Sequence, residues 1–400
     1  MSPGWAQENK RLHVIDGLTF DSDFENGSLG EVRELMPNRI ACALHTEQGE
    51  LGERRYWFRF RMRGVENRQL TLILDHQENP RPFIRIGTEP WRRMTEIEAP
   101  TLDRLELSFG PSETEVELAF FEPLGLTETE AELEELIKNI GVLVQRDLLG
   151  MSEEGRALEL ITVTNPLVSD TGKHRVWVHS RAHAGEVTST HVMLGLLEQC
   201  LADSSVGRVL RDELILQVLP VLNVDGVARG YTRWDASGRD PESQWCAIAS
   251  PAVRAVKDRV DSLMASPQPI ELALNLHSTR GVYRDTFFFK HLAPSVSEEF
   301  EAIQQRYIGA LDRATPLFDN LSPETSQLHT CRFIESYFWN GWGEQVTALT
   351  HEGHFHRRLP DGKWLTGEDY RELGRAMARS MIDYFDLSLP PGNQRTYQLW

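Results

Sequence analysis

The sequence predicts an all-β sandwich followed by an α/β domain whose mixed, mostly parallel sheet is flanked by helices. Three observations carry this. Residues 12–121 break into short runs with period-two alternation, as half-buried antiparallel strands do. After Pro123-Leu124-Gly125 the texture changes, and apolar runs of strand length alternate with helical ones, the pattern of a parallel sheet covered on both faces. The chain has 400 residues, enough for two or three domains with real cores. The change of texture divides it into residues 1–123 and 124–400.

In the first part, runs at 56–62, 70–74 and 116–120 alternate apolar and polar side chains. Turn-prone Glu25-Asn26-Gly27-Ser28, Glu47-Gln48-Gly49-Glu50 and Gly110-Pro111-Ser112 separate such runs, which reads as a sandwich. In the second part, Thr127-Glu128-Thr129-Glu130 forms a capping box, and Leu133, Leu136, Ile137 and Ile140 follow at helical spacing. Strand-like runs at 158–164, 176–178, 214–219, 272–276 and 346–349 then alternate with helical ones at 187–201, 251–265, 296–310 and 368–385. Ligands of such sheets sit at the carboxyl ends of the strands.

A formal charge of −18 argues against nucleic acid or an anionic membrane as partner, since both attract basic surfaces. Cys42, Cys200, Cys246 and Cys331 are scattered without a C-x-x-C pair, which fits reduced thiols better than a disulfide framework. The first eleven residues contain no apolar core of a secretory signal, and no apolar stretch reaches bilayer-spanning length. A cytoplasmic protein is expected. The sequence is silent on oligomeric state.

The chemistry concentrates at predicted strand ends. His183 and Glu186, in Ser180-Arg181-Ala182-His183-Ala184-Gly185-Glu186, are three residues apart and can grip one metal ion. His277, in Leu274-Asn275-Leu276-His277-Ser278-Thr279, ends another apolar run and supplies a distant imidazole. Two imidazoles and one carboxylate leave a coordination position open for water, as at catalytic zinc. Glu352, in Leu349-Thr350-His351-Glu352-Gly353, is a candidate general base. Taken alone, an H-x-x-E triplet is more often a solvated helix face, and Glu352 could be an ordinary surface carboxylate beside His354 and His356.

Companion motifs change that balance. Leu222-Asn223-Val224-Asp225-Gly226, Gly230-Tyr231-Thr232-Arg233 and Ser237-Gly238-Arg239-Asp240 lie between the two histidine segments. The order from Arg181 to Glu352 resembles the zinc metallocarboxypeptidases, and within them the cytosolic carboxypeptidase branch. That branch carries a β-rich domain before the catalytic one, and Phe20-Asp21-Ser22-Asp23-Phe24-Glu25-Asn26-Gly27-Ser28-Leu29 is similar to its opening. The resemblance implies one Zn2+ per chain, held by His183, Glu186 and His277, with Glu352 as general base. It implies that Arg233 stabilises the oxyanion and that Asp240 accepts a hydrogen bond from the first zinc histidine. The alternatives are a surface salt bridge for Arg233 and a plain turn aspartate for Asp240, between Gly238 and Pro241.

The sequence departs from the family immediately afterwards. An Asn-Arg pair that grips the substrate's terminal carboxylate is replaced here by Glu242-Ser243. A neutral serine cannot form the bidentate clamp of arginine, and Glu242 would repel a carboxylate. Arg280 and Arg332 are the available substitutes, and an ordinary surface position is the alternative for each. Tyr337 is the nominee for the family's mobile tyrosine. The function expected is that of a zinc-dependent hydrolase cleaving an amide or isopeptide bond at or near the C-terminus of a peptide or modified amino-acid substrate. Two alternatives stand beside it: an amidohydrolase whose substrate lacks a free α-carboxylate, and a binding module without catalysis.

Overall fold

The computed structural model describes residues 11–75, 78–280, 286–291, 295–318, 333–356, 359 and 361–390. The chain divides into two compact units. The first comprises Met1–Thr127 together with His183–Val187 and Asp225–Asp240. The second comprises Glu128–Ala182, Thr188–Val224 and Pro241–Trp400.

The first unit is built on two sheets. The larger has six strands in the order Leu12–Ile15, Leu18–Asp21, Arg59–Arg63, Glu115–Ala119, Phe83–Ile86 and Arg92–Arg93. The smaller has four, in the order Arg104–Ser108, Gln69–Leu74, Arg39–Cys42 and Val32–Met36. Alternation explains the core: Phe60 and Met62 are fully buried, as are Leu72 and Leu74 two residues apart on their own strand. Arg59, just before Phe60, is buried as well, and its Nε donates to Glu117 at 2.7 Å on the neighbouring strand. One pairing is parallel where the alternation predicts antiparallel strands, between Arg39–Cys42 and Gln69–Leu74. The chain leaves that sheet after Cys42, forms a hairpin of Glu47–Gly49 with Gly52–Arg54, passes through the other sheet at Arg59–Arg63, and returns in its original direction.

The second unit holds a seven-stranded sheet in the order Val144–Met151, Ala157–Val163, Leu214–Leu219, His174–Ser180, Ile270–Thr279, Thr347–His354 and Phe287–Phe289. The four central neighbours from Leu214–Leu219 to Thr347–His354 are parallel, and antiparallel strands close both edges. The sheet is therefore mixed with a parallel centre, flanked by helices, as the sequence predicts. The helices Thr188–Leu201 and Gly367–Tyr384 lie so close that a Cβ on Gly195 would stand 1.9 Å from the Arg371 carbonyl oxygen, and one on Gly374 1.9 Å from that of Val192. Glycine is the residue that permits this approach.

Cys42 and Cys200 are free and buried, whereas Cys246 is disulfide-bonded. The expectation of reduced thiols throughout is corrected at Cys246; disulfide pairing depends on spatial approach, which sequence spacing does not report. Among the described residues, no helix is long and apolar enough to cross a membrane.

Candidate metal centre and active site

The strand His174–Ser180 ends in Arg181, whose φ of 57° lies in the left-handed region although it is not glycine. The turn is held: Leu222 N donates to Ser180 O and Asn223 N to Arg181 O, each at 3.0 Å, and the Arg181 guanidinium donates to Thr190 Oγ1. His183 follows two residues later and is 5% exposed. Its Nδ1 lies 2.7 Å from Glu186 Oε1, and its Nε2 lies 3.1 Å from Asp240 Oδ1.

Asp240 is fully buried and serves two partners. Arg233 donates to Asp240 Oδ2 from Nε at 3.0 Å and from Nη2 at 2.6 Å. Burial alone would raise the Asp240 carboxyl, but the charges and hydrogen bonds of His183 and Arg233 hold it well below the usual carboxylate range. Burial and Arg233 both disfavour charge on His183; Glu186 and Asp240 outweigh them, so its pKa is raised.

On the parallel sheet, His277 stands directly opposite Glu352 in the register of Ile270–Thr279 with Thr347–His354. Paired positions point to the same face, so the register sets this imidazole and this carboxylate side by side. Glu242, on the short turn Pro241–Gln244, is 2% exposed, with Oε1 3.3 Å from His277 Nε2 and Oε2 accepting from Asn275 Nδ2 at 3.3 Å. His277 and His183 thus each have a carboxylate at Nε2. Glu335, on the helix Ile334–Trp342, is a further acid of this cluster: burial, then the Glu242 charge, push its carboxyl up to about 8, with Glu352 adding to the rise.

His183, Glu186 and His277 each offer one ligand atom, and these atoms all lie within 4.8 Å of one another. Two imidazole nitrogens and one carboxylate oxygen, all buried, form the donor set of a catalytic zinc site, so the residues fit the ion. The carboxylates facing the outer ring nitrogens are the usual means of fixing ligand orientation.

The remaining predicted residues are less concentrated. Arg280 is half-buried immediately past the strand Ile270–Thr279, and Ser243 is half-buried on the turn beside Glu242. Tyr337 donates its hydroxyl to Asp261 on the helix Pro251–Met264, whose Lys257 ammonium stands 5.2 Å from its ring, and that ring also lies 5.8 Å from Trp245. Arg332 lies outside the described residues. His354 is buried, its carbonyl accepting from the Tyr370 hydroxyl. Sequence reasoning missed the relation of Glu242 to His277 and the proximity of Glu335; no short-range pattern marks either, since both arise from tertiary packing.

The chain carries a domain of the zinc carboxypeptidase family, Peptidase_M14, matched over residues 129–249. Zinc is that family's metal. Among relatives, the chain is 24% identical to cytosolic carboxypeptidase 6 of Mus musculus, covering 96% of this chain and 76% of that protein. It is 26% identical to cytosolic carboxypeptidase 6 of Caenorhabditis elegans, covering 92% and 87%. Among solved structures, the metallo-carboxypeptidase from Burkholderia cenocepacia superposes with a TM-score of 0.80 at 21% identity, over 92% of this chain and 99% of that one.

Proposed function

We propose that this protein hydrolyses an amide or isopeptide bond at or near the C-terminus of a peptide or modified amino-acid substrate, with His183, Glu186 and His277 holding zinc. The observation that carries the reading is the buried His-Glu-His set together with the register that pairs His277 with Glu352. Zinc in such a set supplies Lewis acidity to water and to the scissile carbonyl. Glu352 accepts the proton of the attacking water and delivers it to the leaving nitrogen. Arg233, held through Asp240, presents a fixed positive charge to the developing oxyanion. Asp240 orients His183, and Glu242 does the same for His277. The division into a β-domain of residues 1–123 and a catalytic domain of 124–400 belongs to the same proposal. So does a cytoplasmic location, which the relatives' names support and the Cys246 disulfide opposes.

A second reading concerns the substrate. Glu242 is buried against His277, and its neighbour Ser243 brings no charge, so this pair supplies no cation for a terminal carboxylate. A leaving group without a free α-carboxylate satisfies that arrangement. The test uses two peptide libraries identical except for a free or an amidated C-terminus, incubated with zinc-loaded protein and with chelator-treated protein. Zinc-dependent release of terminal residues is expected. Preference for the free library restores an ordinary carboxypeptidase substrate, and no release from either library overturns the proposed function.

A further inference from the structure

Glu47-Gln48-Gly49-Glu50 reads in sequence as a separator between strands, yet it folds as half of the hairpin Glu47–Gly49 with Gly52–Arg54, paired with neither large sheet. Glu47 is 3% exposed, and its Oε1 accepts from Arg233 N at 2.5 Å. The amides of Thr232 and Trp234 also face this carboxyl, while Oε2 has no hydrogen-bond partner among the described residues. Burying a carboxyl is costly, and here the compensation comes from three backbone donors on one segment. Glu50 anchors the other end of that segment. Its amide donates to Gly238 O at 2.8 Å, and its Oε1 accepts from Asp240 N at 3.1 Å.

Packing follows the same line. Trp234 is fully buried, the Arg54 guanidinium stands 5.2 Å from its ring, and a Cβ on Gly49 would come within 2.4 Å of that ring. Between the anchors, Asp235 Oδ1 closes the turn by accepting from Ser237 N at 2.9 Å and Arg239 N at 3.0 Å. The stretch 232–240 is therefore fixed at both ends by two carboxylates three residues apart. It carries Arg233 and Asp240, whose side chains meet each other.

We propose that this hairpin is a buttress for the catalytic segment, with Glu47 and Glu50 acting as positioning residues for Arg233 and Asp240. The proposal rests on the reading that those two residues serve the metal centre. Burial pushes the Glu47 carboxyl up to about 8, so glutamine keeps the acceptor with little change of charge near neutrality. The test compares Glu47→Ala, Glu47→Gln and Glu50→Ala in the full chain, by hydrogen–deuterium exchange and by zinc competition with a chromophoric chelator. Both alanine variants should speed exchange in 230–240 by about tenfold or more while the strand Ile270–Thr279 stays protected. They should weaken zinc binding by about three- to tenfold, less than loss of a direct partner of the ligand, and Glu47→Gln should remain near wild type. Folded alanine variants with wild-type exchange and zinc affinity overturn the buttress. Should Glu47→Ala fail to fold, Glu50→Ala, whose side chain is exposed, decides the matter through the Asp240 amide. A wild-type chain that binds no zinc sinks the reading of the metal centre, and the exchange comparison still judges the hairpin.

Discussion

Asp240→Ala removes a carboxylate that bonds to both His183 and Arg233. The Asp240 side chain is 1% exposed and that of Arg233 is 26% exposed. Breaking a buried ion pair by deleting one partner costs about 3–5 kcal/mol, and the partial solvent access of the guanidinium brings the expectation here to about 2–3 kcal/mol. The metal side is separate: losing the carboxylate behind a ligating histidine weakens affinity about 10- to 100-fold, or about 1.4–2.7 kcal/mol. Two assays divide these effects. Urea unfolding of zinc-free protein should show a lower midpoint, and chelator competition should show the weaker zinc affinity. Asp240→Asn keeps an acceptor for His183 and should fall between wild type and alanine in both. An alanine variant with an unchanged midpoint and zinc affinity within twofold of wild type would refute the reasoning.

Three further outcomes are expected. His277→Ala should lower zinc content from one per chain while the fold, read by circular dichroism, survives, because two cores carry the stability; full zinc retention with unchanged zinc-dependent hydrolysis contradicts the assignment. Residues 124–400 expressed alone should be poorly soluble, since Tyr56 N and Trp57 N donate to Thr232 Oγ1 and Glu47 holds Arg233, all within one compact unit; a soluble fragment that binds zinc with wild-type affinity goes against this. Hydrogen bonds from Arg92 hold the Glu98 carboxyl at about 2 rather than 4.5, so its contribution to stability is present above pH 4.5 and is lost as pH falls through 2. Arg92→Ala should flatten the acid limb of an unfolding-midpoint profile, and an unchanged limb would show that the pair contributes nothing.

Much of the fold was legible because the central strands are apolar runs. His174–Ser180, Leu214–Leu219 and Ile270–Thr279 are buried almost throughout, and such runs bounded by polar turns read clearly. The edge strand Val144–Met151 did not read, since its burial follows no period of two. The helix Ser205–Glu213 was equally hidden, being short and rich in charge. At the site, the motif order named His183, Glu186 and His277 because it encodes their chemistry, and the structure brings their ligand atoms together. Glu47 and Glu242 were opaque for a different reason. Each acts through backbone or ring contacts with residues distant in sequence, and a lone glutamate in a turn carries no mark of that.

The central claim is tested most directly by Glu352→Gln, with zinc-loaded wild type and variant incubated side by side with the free-terminus and amidated peptide libraries while residue release is followed by mass spectrometry. The substitution keeps size and shape while removing the proton acceptor, so zinc content should stay at one per chain and the rate should fall by about 10²- to 10⁴-fold. Release by the variant at the wild-type rate, with zinc bound, would contradict the account.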